Sequence, residues 1–212
     1  MTRKKGIDLR LLLALLLLVA AAGVIALFAI GGSSTTKHPE ASFEASGLLS
    51  PATAAPPLAL RNYLGEPVNI NSYRGKAVLV TFLYTHCPDI CPLITSNLRV
   101  AQNLMAKAVA SKVQIIAVSV DPRGDTPKAV AAFLARHEMT GRMQYLVGST
   151  KELAGAWKAW GVGSERDAKQ PQFINHSGLI YGITASGKRL SLYAADFQPS
   201  EIAHDVPLLA AR

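Results

Sequence analysis

The sequence predicts an α/β fold for residues 56–212, a central mixed sheet flanked by helices, preceded by an N-terminal transmembrane helix. Residues 77–84 and 113–120 are continuous apolar runs, as expected of strands buried on both faces of a sheet. Segments with helical periodicity follow both runs, and such crossovers place successive strands parallel in one sheet. An uncharged run at 11–30 has the length of a membrane-spanning helix.

The first 55 residues are expected to lie outside the globular domain. The segment before the uncharged run carries four basic residues and one acidic residue. Because positively charged flanks stay in the cytoplasm, the rest of the chain is placed outside. We therefore predict a cytoplasmic segment at 1–10, a transmembrane anchor at 11–30 and a flexible linker, rich in Gly, Ser, Thr, Pro and Ala, at 31–55.

The expected location is a bacterial inner membrane, with a single pass and the soluble domain in the periplasm. A cleaved signal peptide is the alternative, but its apolar region usually spans only about 7–15 residues. The one weak cleavage site here lies at 29–31. A mitochondrial transit peptide would need more than the ten residues that precede the apolar run.

The elements of the domain follow from hydrophobic periodicity and from turn and capping residues. The first predicted elements are strands at 58–61 and 67–70 around Gly65, one helical turn at 71–75, a buried strand at 77–84 and a helix to about 110. They are followed by a buried strand at 113–120, a helix at 127–137, a short strand at 144–147 and a helix to 160 that Ser149 or Thr150 caps. The last predicted elements are a polar loop at 161–172, a hairpin of strands 173–183 and 188–193, and a helix to about 209 that Ser200 caps.

Charge argues against nucleic acid as a partner. The formal net charge of +8 falls to +5 when the segment before the anchor is set aside, leaving 18 basic and 13 acidic residues. These show no dense basic run and no interleaved aromatic residues. An exported chain meets an oxidising compartment, where two cysteines pair with each other or hold a metal.

Both cysteines, Cys87 and Cys91, lie on the turn between the buried strand at 77–84 and the next helix. Residues four apart on a helical turn share a face, with Cβ atoms about 5–6 Å apart. That spacing suits two sulfur ligands of one metal ion or, after a small adjustment, a disulfide. A helix N-terminus also favours thiolate. Pro88 and Pro92 predict an irregular turn over the pair and a regular helix from about Pro92. Two inert buried cysteines are the alternative.

The order of elements, with a dithiol at the first strand–helix junction, resembles the thioredoxin-like fold, and the Cys-x-x-x-Cys turn resembles the Sco/SenC family of copper proteins. The resemblance covers nearly the whole chain, including the anchor and the strand pair before the site. It rests on three separated motifs, which are F-L-Y-T-H-C-P-D-I-C-P at 82–92, V-D-P-R-G-D-T-P at 120–127 and N-H-S at 175–177. Three motifs in the family's order are far more specific than one dithiol.

The resemblance implies that Cys87, Cys91 and His176 bind copper, as Cu(I), Cu(II) or both, and that the two cysteines form a redox-active disulfide. It implies a metallochaperone that delivers copper to the binuclear copper site of cytochrome c oxidase, reduces the cysteines of that site, or both. The implied partners are the oxidase subunit carrying that site and a copper donor or thiol reductant. The family often has Asp before the ligand histidine, whereas this chain has Asn175, which puts in doubt only charge tuning of the imidazole.

The three side chains also make chemical sense without the family. Soft thiolates select Cu(I), and imidazole suits copper in either oxidation state. Zinc accepts the same donors, so the geometry of the site has to exclude it. Because the metal has to be released to a partner, we expect few ligands and an exposed position.

The alternative function is a thiol–disulfide oxidoreductase acting on exported proteins, which the fold and the thiols allow. Thioredoxin-type reductants carry Cys-x-x-Cys and a cis-Pro facing the thiols, whereas Asn175 and His176 fill the corresponding place here. A thiol peroxidase is a third option, but its relatives usually carry Thr where this chain has Tyr84. We interpret the chain mainly as a metal carrier, leave reductase activity open and assign no catalytic residue.

Other candidate side chains are expected to have structural roles. His86 is expected to point away from the thiols, and Met105 to lie in the core. Asp89 is expected to shape the turn or to meet a basic partner. Asp121 and Asp125 are expected to cap the loop and helix that follow them, with a role around the metal ligands as the alternative. The side chains expected to be solvated or simply packed are His38, His137, His204, Trp157 and Trp160.

Overall fold

The structure is a computed structural model and describes residues 42–166, 168–169 and 174–212. Residues Ser42–Arg212 form one compact unit. The predicted cytoplasmic segment, the predicted anchor and the predicted linker up to residue 41 lie outside the described residues. Within the described ranges, no helix is both long enough and apolar enough to cross a membrane.

Ten strands and five α-helices make up the described fold. The strands are β1 (Gly47–Ala54), β2 (Ala59–Asn62), β3 (Pro67–Asn69), β4 (Ala77–Leu83), β5 (Val113–Ser119), β6 (Met143–Val147), β7 (Glu165–Arg166), β8 (Ile174–Asn175), β9 (Ile180–Ile183) and β10 (Lys188–Tyr193). The helices are α1 (Ile90–Leu104), α2 (Lys107–Ala110), α3 (Pro127–Arg136), α4 (Thr150–Trp160) and α5 (Pro199–Ala210), with a short 3₁₀ helix at Ile70–Tyr73.

The core of the domain is an eight-stranded mixed sheet in the order β1-β10-β9-β4-β5-β6-β2-β3. β4 runs parallel to β5, and β5 parallel to β6, while β9 and β10 add antiparallel strands beside β4. Every residue of β4 is buried, as expected of a central strand covered on both faces. The predicted α/β fold with a central mixed sheet flanked by helices is confirmed for the described domain.

The helix predicted to end at 160, with Ser149 or Thr150 as its cap, is confirmed as α4. Ser149 and Glu152 form a reciprocal capping box at its start, and Gly161, at φ 70°, ends it in the left-handed conformation. Ser200 does not cap the last helix as predicted, because α5 already begins at Pro199, which suits the first helical position. The helix predicted to run to about 110 is interrupted at Met105, whose backbone is extended and whose side chain is buried in the core.

The predicted linker ends too late in the sequence. Residues Gly47–Ala54, assigned to it, form β1, which pairs with β10 at the edge of the sheet. The backbone N–H groups of Glu44 and Ala45 donate to the buried carboxylate of Asp205 at 2.9–3.2 Å. The small and polar residues of this edge strand have the composition of a linker, and β10 supplies its hydrogen bonds.

The carboxyl ends of β4 and β5 meet at one edge of the sheet. The turn that follows β4 carries Cys87 and Cys91, and the loop that follows β5 carries Asp121 and Asp125. His176 follows β8 and reaches the same edge. The topology therefore gathers side chains that lie far apart in the sequence, such as Cys91 and His176, which are 85 residues apart.

Candidate metal centre

The dithiol turn is organised by the start of α1. Asp89 caps the helix, its carboxylate accepting from the backbone N–H of Ile90 at 2.6 Å. The backbone N–H of Cys91 points at the Cys87 sulfur, at 3.4 Å. The helix starts two residues before Pro92, earlier than we predicted, because Pro92 still falls in the first turn, where its missing N–H has no partner to lose. The prediction that Asp89 shapes the turn is confirmed.

Both cysteines are free thiols and both are buried. Cys87 is 7% exposed and Cys91 is fully buried. Our expectation of an exposed position is wrong for the sulfur atoms, because both side chains belong to the hydrophobic core cluster below the turn. An incoming ligand therefore has to approach from the side of the half-buried His176.

The pKa values of the two thiols are shifted in opposite directions. The pKa of Cys87 is lowered to about 6, mainly because the Cys91 thiol donates a hydrogen bond to the thiolate, with help from the backbone N–H groups of Cys91 and Asp89 and from the Tyr84 hydroxyl. The pKa of Cys91 is raised, because its proton is held by that same hydrogen bond and because burial disfavours a second charge. At neutral pH the pair is one thiolate, Cys87, and one thiol, Cys91.

His176 joins the dithiol from a distant part of the chain. Its Nε2 atom lies 3.9 Å from the Cys91 sulfur, and its Nδ1 lies 3.2 Å from the Ser177 carbonyl oxygen. With the ring proton on Nδ1 donating to that carbonyl, Nε2 keeps a free lone pair directed at the thiols. Burial lowers the pKa of His176, so the imidazole is neutral at pH 7 and ready to bind a metal. The structure thus brings the three predicted ligands together.

The donor set fits a single soft metal ion after a small rearrangement. Bonds of about 2.0–2.3 Å to nitrogen and sulfur allow one ion to lie between donors about 4 Å apart, and Nε2 of His176 and Sγ of Cys91 are separated by 3.9 Å. Among the described residues, no three His, Cys, Asp or Glu side chains already surround a common point at ligand distance.

Tyr84 is a site residue that the sequence did not single out. It is 3% exposed, and its hydroxyl accepts from the backbone N–H of Ile174 at 3.4 Å. Its ring meets the His176 imidazole edge to face, with centroids 5.8 Å apart. Burial raises the pKa of Tyr84 to about 12, so the hydroxyl keeps its proton and donates towards Cys87.

Asp125 holds the backbone of the turn that leads to the cysteines, through a hydrogen bond from Thr85. Its buried carboxylate accepts from the backbone N–H of Thr85 at 2.8 Å, from the Ser119 hydroxyl at 2.6 Å and from the Tyr145 hydroxyl at 2.9 Å. We expected Asp125 to cap α3, but that role belongs to Thr126. The signal for the actual role was its place after β5, since the ends of neighbouring parallel strands share one edge of the sheet.

The remaining candidates lie outside the metal centre. His86 is exposed and its Nδ1 contacts the Thr85 hydroxyl at 3.1 Å, and Met105 is in the core, as predicted. Asp121 accepts from the backbone N–H of Arg123 in its own loop. His137 is half-buried rather than solvated and contacts Ser96 and Phe133. His204 is exposed, as predicted, and also contacts Asp205. Trp157 donates to the Ser119 carbonyl, Trp160 packs against Phe82 and Tyr181, and His38 lies outside the described residues.

Solved structures confirm the thioredoxin-like arrangement that the sequence predicts. The apo Sco1 protein from Thermus thermophilus superposes with a TM-score of 0.69 at 24% identity, covering 82% of this chain and 99% of that chain. The ScoI protein of Bradyrhizobium japonicum, solved with copper bound, superposes with a TM-score of 0.60 at 30% identity, covering 74% of this chain and 99% of that chain.

Sequence comparison points to the same family. The chain is 27% identical over 154 residues to the mitochondrial SCO1 homolog of Mus musculus, which covers 71% of this chain and 54% of that protein. It spans about half the length of the curated mitochondrial relatives that it matches. The family model for SCO1/SenC matches residues 48–211, which include the whole dithiol turn and His176. The chain therefore belongs to the SCO1/SenC family.

Proposed function

We propose that this protein is a membrane-anchored metallochaperone that carries copper on Cys87, Cys91 and His176 and delivers it to the binuclear copper site of cytochrome c oxidase. The observation that carries the proposal is the approach of the His176 Nε2 atom to within 3.9 Å of the Cys91 sulfur. Disulfide chemistry alone gives no reason for an imidazole there. The copper-bound relative from Bradyrhizobium japonicum supports the choice of metal.

The chemistry of the donors suits Cu(I) as cargo. Two sulfur ligands select a soft ion, and a neutral imidazole completes a three-coordinate shell. Cys87 is already a thiolate at neutral pH, so only Cys91 has to release a proton when the metal arrives. Because the shell has only three ligands, a thiolate of the acceptor can enter before any ligand of the donor leaves, and the ion is passed on by ligand exchange.

A second function is supported by the asymmetry of the dithiol. The Cys87 thiolate can attack a disulfide of the oxidase copper site or of another exported protein, forming a mixed disulfide and expelling one thiolate. Cys91 then loses its proton and attacks the Cys87 sulfur, which releases the second thiolate of the substrate. The substrate gains two electrons, and Cys87 and Cys91 are left as an intramolecular disulfide. This cycle uses no imidazole.

One substitution, His176→Ala, distinguishes the two functions. In cells that carry only the His176→Ala variant, we expect oxidase assembly to fail and added copper to restore it in part, whereas the dithiol still cycles with its disulfide. Cys87→Ser fails in both respects. His86→Ala is the matched control, because it removes an exposed imidazole beside the same turn and is expected to leave assembly intact. Normal assembly with His176→Ala would favour the oxidoreductase function instead.

A further inference from the structure

Tyr84 connects the two halves of the metal centre. It follows the last residue of β4 and begins the turn to the cysteines, and its backbone carbonyl accepts from the Cys87 N–H at 3.3 Å. Its hydroxyl reaches across to β8, where it accepts from the backbone N–H of Ile174, two residues before His176. The phenol ring meets the imidazole itself, with an interplanar angle of 78°.

The Tyr84 hydroxyl can accept one hydrogen bond and donate another at the same time. An oxygen that accepts from an amide keeps its own proton to donate, and the Tyr84 hydroxyl helps to lower the pKa of the Cys87 thiol. One buried oxygen therefore joins the residue that begins the dithiol turn to the strand that precedes the histidine. Without it, the Ile174 N–H would lose its partner in a site with little access to water.

Among the described residues, the segment that leads to the histidine is held by the burial of Ile174 in the core and by a short β-ladder. In the described part of the chain, β8 has two residues and pairs only with the two residues of β7, so its ladder is short. The side-chain hydrogen bond of His176 goes to the carbonyl of the next residue and gives no anchor to the rest of the domain. Gly178 packs closely, since a Cβ there would lie 3.0 Å from that of Ala195, but this contact lies beyond the histidine.

We propose that Tyr84 is a positioning residue that holds His176 over the Cys87–Cys91 pair and thereby sets the affinity for copper. This inference rests on the proposed function, in which His176 is a copper ligand. A ligand on a loosely held segment has to be ordered before it binds, so its contribution to affinity falls when the tether is lost. The net value of one buried hydrogen bond corresponds to about a tenfold change in affinity.

The test is a double-mutant cycle on the full-length chain in detergent, with Cu(I) affinity measured by competition against a chromophoric chelator. We expect Tyr84→Phe to weaken Cu(I) binding about tenfold in the parent and by less than about twofold in the His176→Ala background, because there the tether has no ligand to hold. Tyr193→Phe is the matched control. It removes another buried hydroxyl, hydrogen bonded to Asp205 rather than to a site residue, and should leave Cu(I) affinity unchanged.

A second readout needs no variant and no metal. In the parent chain, the Ile174 amide should exchange its hydrogen at least about tenfold more slowly than an open amide, because the Tyr84 hydroxyl accepts from it. Exchange at the open rate would overturn the inference even if Tyr84→Phe failed to fold. Equal loss of affinity in both backgrounds, or no loss in the parent, would overturn it as well. If His176→Ala alone binds Cu(I) like the parent, the proposed function fails, which is a distinguishable result.

Discussion

At the scale of single residues, the cysteine pair was predictable and its surroundings were not. Cys87 and Cys91 could be placed from the local pattern of a buried strand, a turn and a helix. His176 lies 85 residues from Cys91, so only the resemblance to a family indicated it. Tyr84 and Asp125 act through contacts with Ile174 and Thr85, which depend on how the strands pack, and no local pattern shows such contacts.

The lowered pKa of Cys87 has a direct consequence for reactivity. Only the thiolate is alkylated, so the rate at Cys87 in the reduced, metal-free protein should rise as pH increases and level off above a midpoint near pH 6. In Cys91→Ala the midpoint should move upward, because the side chain that donates to the Cys87 thiolate is gone. Stopped alkylation followed by mass spectrometry measures both. A midpoint near the ordinary cysteine value in the parent would show that the thiolate is not held as described.

Asp125 should matter for stability. Asp125→Ala removes a buried acceptor of three hydrogen bonds, and hydrogen bonds to a charged group are each worth about 1.5–3 kcal/mol. We expect unfolding in urea to report a loss of at least about 3 kcal/mol, less than the sum of the three bonds because the substitution also removes the cost of burying a carboxylate. Asp196→Ala, at a carboxylate outside this network, is the control and should cost less than about 0.5 kcal/mol. A loss as small as the control's would mean that the Thr85 anchor contributes nothing.

At the scale of elements, the helices and strands that apolar runs or capping residues mark in the sequence were predicted correctly. The buried strands β4 and β5, and α4 with its capping box and C-terminal glycine, are placed almost to the residue. β1 was missed because its order comes from pairing with β10, and an edge strand rich in Gly, Ser, Thr, Pro and Ala has the composition of a linker. The break at Met105 was missed because burial of that side chain in the core outweighs the helical pattern.

The role of β1 can be tested by truncation. A chain that starts at residue 56, the predicted domain boundary, loses β1 and both backbone donors to the buried Asp205 carboxylate. Because removing partners leaves a buried charge poorly satisfied, we expect a loss of at least about 3 kcal/mol in urea relative to a chain that starts at residue 42. Equal unfolding midpoints for the two chains would mean that β1 adds nothing to the stability of the domain.

At the scale of the whole molecule, the fold brings the candidate metal ligands to the end of the central strands, and the chain belongs to the SCO1/SenC family. The orientation in the membrane remains a prediction from residues 1–30. A reporter that is active only in the periplasm, fused after Arg212, should be active, because the basic residues before the apolar run stay in the cytoplasm. An inactive periplasmic reporter together with an active cytoplasmic one would reverse the proposed topology.

In the proposed function, copper is held by two sulfurs and one histidine nitrogen. X-ray absorption at the copper edge, on the Cu(I)-loaded full-length chain in detergent, measures that ligand set directly. We predict two sulfur scatterers and one nitrogen scatterer in the parent, and loss of the nitrogen in His176→Ala together with a fall in Cu(I) affinity of at least about tenfold. A parent spectrum with sulfur ligands alone, or a His176→Ala spectrum identical to that of the parent, would contradict the account.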